Sequence, residues 1–175
     1  MLCPRYRPLD TFVQLDSNKH YGQWSGREIE AFLEETRVPL RLGLQSKNGP
    51  LIVPVWFAYD TQQFWSCSPD DSLLVTALRN QPEIAFDVST NDLPYRGVRG
   101  RGVAQCSVAP DNSLLEKLLH RYVGNTQNAL ADTLLKRSGP EALIEIKPTW
   151  LTSWDFSARM EGIETIASRN PGAGL

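Results

Sequence analysis

The residues in this chain best suited to chemistry are arginines on an alternating segment. Arg99 and Arg101 stand two apart, with Arg96 just before them. Side chains two apart on an extended strand share a face, so Arg99 and Arg101 present two guanidinium forks side by side. Such forks bind phosphate or carboxylate oxygens bidentately, which suits the anionic end of a cofactor or substrate. The plain alternative is a solvated strand face carrying surface ion pairs. Gly97, Gly100 and Gly102 are interleaved with these arginines. They form no dinucleotide fingerprint, because no strand-to-helix turn follows them. Close backbone approach or strong bending is their expected role.

Other chemistries have little to work with. Cys3, Cys67 and Cys106 are far apart and odd in number, which argues against a disulfide framework or a structural zinc site. No histidine or lysine lies near Cys67 in sequence to lower its pKa, so a small buried side chain is the expectation there. His20 and His120 are the whole histidine complement, and no metal site is expected. No catalytic acid or base can be named. Trp56, Trp65, Trp150 and Trp154 fall on segments that read as strands, as core, interface or ligand-covering aromatics.

The elements that must position these residues follow from periodicity. Ser25 and Glu28 have capping-box spacing, and Ile29, Phe32 and Leu33 follow at helical intervals, which predicts a helix at about 26–36. Val38, Leu40, Leu42 and Leu44 then alternate with polar or small residues as in a half-buried strand. Asn48-Gly49 is expected to supply the two positive-φ residues of a hairpin turn. Leu51 to Tyr59 is apolar throughout and reads as one strand covered on both faces, with Pro54 marking an edge or a bulge. A short strand over 64–68 precedes a helix through Leu73, Leu74, Ala77 and Leu78. Two alternating strands surround the Asn91–Tyr95 loop. Leucine stripes at 114–122 and 130–135 predict two helices, and 143–146 and 150–156 predict two final strands. Short connections favour antiparallel pairing, and many short strands with few helices favour a barrel with peripheral helices.

Composition narrows the function classes. The chain of 175 residues is 41% hydrophobic with a formal net charge of −2, which provides a core but no global basic field for nucleic acid or anionic membrane. No apolar run reaches the ~20 residues of a membrane helix, and the first residues lack a secretory apolar stretch. A cytoplasmic location is expected. The domain reading is an arm at 1–24, a body at 25–157 and a fraying tail at 158–175.

In order and spacing, four segments resemble the pyridoxamine 5'-phosphate oxidase-like, flavin-binding split-barrel family. They are Arg27 to Leu44; Asn48-Gly49 with Pro50 to Asp60; Ser72 through Pro82 into Phe86; and Val98 to Ala104 with the late Trp154-Asp155-Phe156. The resemblance implies a mainly β split barrel with peripheral helices. It also implies a homodimer with two FMN sites at its interface and a flavin-dependent oxidoreductase acting on a small molecule. The flavin ring would lie along Val53, Pro54, Val55 and Trp56. The phosphate would lie near Cys67, Ser68 and Ser72, and Trp154 would approach from the other subunit. The chain departs from the family pattern where a cation usually follows the serine of the third segment: Leu73 and Leu74 stand there, and Ile52 and Phe57 stand where basic residues often flank the second segment. Arg96, Arg99 and Arg101 are the substitute cations for an FMN phosphate. The alternatives are a deazaflavin cofactor, or a non-catalytic protein binding a flavin, a deazaflavin or a haem, the last disfavoured by the scarcity of histidine.

Overall fold

A computed structural model describes residues 22–163. The expected arm at 1–24 and tail at 158–175 therefore lie largely outside the described residues, as do Cys3 and His20.

The chain begins with α1 (Gly26–Glu35), whose capping box forms as expected: the Ser25 side chain accepts from Glu28 N–H, and Glu28 reaches back to Ser25 N–H at 2.6 Å. Ile29 and Leu33 are its buried face. Arg121, on a later helix, closes the other end. Its guanidinium donates to the carbonyls of Leu33, Glu34 and Thr36 at 2.5–2.7 Å, meeting helix-terminal acceptors that would otherwise lack partners.

Strands β1 (Leu40–Ser46), β2 (Gly49–Val55), β3 (Ala58–Asp60) and β4 (Gln63–Pro69) follow, then α2 (Leu73–Asn80), β5 (Glu83–Ser89), β6 (Arg96–Val108), α3 (Ser113–Val123), α4 (Ala129–Leu135) and β7 (Glu141–Asp155). All pairings are antiparallel, in the order β2-β1-β5-β6-β7-β4-β3. The two edge strands, β2 and β3, are separated in sequence only by Trp56 and Phe57. Two residues cannot span an open seven-stranded sheet, since a residue reaches at most ~3.6 Å. The sheet therefore curls until its edges meet at an unpaired seam, which is a split barrel. Leu40, Leu42, Ile84, Phe86, Val98, Ile144 and Ile146 fill the interior together with Phe57 and Phe64. Each such buried aliphatic or aromatic side chain contributes ~1.5–3 kcal/mol.

The structure corrects three expectations. The apolar run Leu51–Tyr59 is two strands, not one covered on both faces. It breaks where Phe57 enters the core and its N–H donates to the Tyr122 hydroxyl at 3.2 Å. Leu51 and Ile52 are left 46% and 70% exposed, and Pro54 sits on an edge strand, where a missing N–H costs no ladder bond. The two final strands are one 15-residue strand. Its register with β6 shifts between Arg101 and Gly102, where Thr149 is the extra residue between the paired Trp150 and Pro148, so the strand runs on through the proline by way of a bulge. At the β1–β2 turn only Gly49 has positive φ, +118°. The left-handed pair is Thr61 and Gln62, with φ of 50° and 63°, in the two-residue turn joining β3 to β4.

Candidate functional site

Pairing register carries the polar faces of the strands into two rows on the outside of the barrel. One row runs Pro54, Arg41, Asp87, Arg99, Thr152; the next runs Ile52, Gly43, Ala85, Arg101, Trp150. A cleft of about 500 Å³ lies across them, lined by Arg41, Asp87, Arg99, Arg101, Ile52 and Trp150 over a floor of Gly43, Ala85, Phe86 and Gly100. The floor is low because its outward residues are small. Gly100 is required for a second reason: a Cβ there would lie 2.4 Å from the Phe86 ring and from the Trp150 carbonyl, so any side chain would push core and neighbouring strand apart.

The charges in the cleft are unequal in their commitments. Arg41 is tied down: its guanidinium donates to Asp87 at 3.1 Å, to the Ser89 hydroxyl at 3.0 Å and to Asn91 at 2.6 Å. Asp87 also accepts from the Ser89 hydroxyl at 2.5 Å. Arg99 stands opposite Asp87 in register but forms no ion pair among the described residues. Arg101 lies over the Trp150 ring at 5.3 Å and is likewise unpaired. Both arginines are exposed.

The sequence-derived site residues separate into several places. Pro54 faces outward beside the cleft, whereas Val53 and Val55 face the barrel interior. Trp56 and Cys67 pack in a satellite cluster under α3 and α4 with Leu115, Leu119 and Ala131. The Trp56 ring is stacked on Tyr122. Burial pushes the Cys67 thiol up to about 11, with Glu141 adding to the shift and Arg137 opposing it. Ser68 and Ser72 meet at the start of α2, where the Ser68 hydroxyl donates to Ser72 at 3.2 Å and Ser72 accepts from Val75 N–H. Trp154 shares the outward face of β7 with Thr152 and Trp150, beyond the cleft, and touches Phe156 at 5.2 Å. Arg96, opposite Asp155, is exposed at that same end.

A phosphate dianion does not fit the Ser68–Ser72 corner. Ser72 is spent on capping α2, Leu73 is 88% exposed, and Asp70 and Asp71 precede the helix. The Asp70 carboxylate, hydrogen-bonded by Arg79, is held below the usual carboxylate range and stays charged. The arginine rows do fit an anion. Arg41, Asp87 and Trp150 joined Arg99 and Arg101 only through register. Each lies on a polar or aromatic position of an alternating strand, and no local signal pairs them. Among the described residues no cluster of histidine, cysteine, aspartate or glutamate could hold a metal, and no helix is long and apolar enough to cross a membrane.

Several solved structures share this architecture. A conserved hypothetical protein of Mycobacterium tuberculosis, Rv2991, superposes with a TM-score of 0.63 at 23% identity, over 76% of this chain and 86% of its own. An F420 reductase gives a TM-score of 0.55 at 24% identity, over 68% of this chain and 92% of its own. A FAD-binding protein from Mesorhizobium loti gives 0.51 at 20% identity, over 74% and 93%. At these identities the likeness establishes the fold. No functionally curated protein matches. The family model for pyridoxamine 5'-phosphate oxidase matches residues 25–153, covering every strand that builds the cleft, and the chain belongs to that family.

Proposed function

We propose that this chain binds a flavin-type cofactor between two copies of itself and uses it for redox chemistry on a small molecule. The observation that carries the reading is the outward face of the barrel. A cleft with two uncommitted arginines and a tryptophan adjoins an edge strand whose Ile52 is 70% exposed. An exposed apolar edge is a liability that a second copy would cover, and a planar ring with an anionic tail matches a small-residue floor flanked by an aromatic and cations.

When bound, a flavin supplies hydride or single-electron transfer. The residues of this chain bind, orient and exclude water. Ile52 and the Gly43–Ala85 floor provide a flat apolar seat. Trp150 and Trp154 line the same face of β7 and supply aromatic cover. Asp87 is held in place by the Arg41 guanidinium and the Ser89 hydroxyl. Free Cys67 and Cys106 fit a reducing cytoplasm.

FMN is the first reading of the cofactor. A deazaflavin is the second, supported by the likeness of the fold to that of an F420 reductase. The haem alternative has little support: the one histidine among the described residues, His120, is exposed on α3. The visible spectrum of the purified protein, followed by fluorescence titration with FMN and with a deazaflavin, tests the proposal. Flavin bands or saturable quenching by either ligand are expected. A colourless protein that binds neither overturns it.

A further inference from the structure

We infer that the cleft between β2 and β7 holds a phosphate monoester dianion at Arg99 and Arg101, so that the anion site of this chain has moved from the α2 N-terminus to the face of β6. This rests on the proposal that a flavin-type ligand binds here.

Charge complementarity carries the inference. Arg41, Arg99 and Arg101 line the cleft against one carboxylate, Asp87. Asp87 and Arg41 satisfy one another at 3.1 Å. Two positive charges then remain, on side chains two residues apart on one strand face with no carboxylate partner among the described residues. A phosphate monoester above its second pKa of ~6 carries a charge of about −2. Planar guanidinium forks bind such a group bidentately. The cross-strand neighbours of Arg101 on the β5 side also make room. Ala85 lies opposite Arg101 and Gly43 next to Ala85, so a hollow opens on that side, while on the β7 side the Arg101 guanidinium lies over the Trp150 ring. The Ser68–Ser72 corner offers the opposite: an occupied cap, two aspartates and an exposed leucine.

The test compares FMN with riboflavin, which has the same ring and no phosphate, by fluorescence quenching against the wild type and the Arg99→Gln/Arg101→Gln double variant. The wild type should prefer FMN. The variant should lose FMN affinity by about 30-fold or more, the scale of losing charge-assisted hydrogen bonds, and riboflavin affinity should change by less than about threefold. Arg99→Lys/Arg101→Lys should restore part of the loss, and inorganic phosphate should compete with FMN but not with riboflavin. Equal wild-type affinity for the two ligands, or equal losses in the variant, overturns the relocated site and leaves the flavin reading standing. A variant that dissociates to monomers with unchanged ring binding assigns the arginines to the partner's carboxylates and also overturns the inference. Binding of neither ligand by the wild type overturns both.

Discussion

Trp56 lies flat on Tyr122, with ring centroids 5.1 Å apart and planes within 5° of parallel, and Tyr122 in turn accepts the Phe57 N–H. The pair fastens the crossing between the two edge strands to α3. A tryptophan expected beside a flavin ring is therefore committed to holding the seam of the barrel. Trp56→Ala should cost about 2–4 kcal/mol of stability, in the range of large-to-small aromatic replacements. Tyr122→Phe should cost about 1 kcal/mol for one hydrogen bond. Denaturant unfolding of both variants checks this. Wild-type stability in Trp56→Ala would contradict a structural role.

The exposed edge predicts dimerisation. A two-fold contact over the outward face should bury at least about 2,000 Å² in total. Sedimentation at micromolar concentration should give twice the 19.7 kDa chain mass. Ile52→Glu should shift that equilibrium toward monomer by about 30-fold or more, since a charge at the centre of an apolar contact is strongly unfavourable. A wild type that stays monomeric would remove the interfacial site.

Trp154 sits on the outward face of β7 and packs on Phe156 without entering the core. If it covers a ligand from the neighbouring subunit, Trp154→Ala should weaken cofactor binding by about 1–3 kcal/mol while the dimer stays intact. Titration beside a sedimentation control separates the two effects. Dissociation with no ligand effect would make Trp154 an interface residue alone.

Alkaline pH should destabilise the fold through Cys67. Its thiol is raised by burial from 9.0 to about 11, so the unfolded chain releases the proton first. The stabilisation is full below pH 9.0 and is lost as pH rises through about 11, on the order of 2 kcal/mol. Tyr59, also raised chiefly by burial, acts in the same direction at higher pH. Unfolding free energies measured from pH 8 to 11 should fall, and Cys67→Ala should flatten the fall. An identical slope in that variant would mean that the thiol is not the group responsible.

Local signals in the sequence determined α1 with its capping box, the half-buried strands β1 and β5, the edge character that Pro54 gives β2 and, through four ordered segments, the family. These rest on side-chain periodicity and on capping within a few residues, which a sequence displays directly. Tertiary structure alone decided where the apolar run 51–59 divides, because Phe57 turns inward only to meet a core drawn from every strand. It also decided that Thr61-Gln62 is the left-handed pair among the described residues and that one strand runs on through Pro148 with a bulge at Thr149. The site was divided in the same way. Arg99 and Arg101 were legible as neighbours on one face, whereas Arg41, Asp87 and Trp150 reached them only through the register of β1, β5, β6 and β7. Register is fixed by burying the opposite, apolar face of each strand, so the positions of the polar residues follow from a core they do not touch.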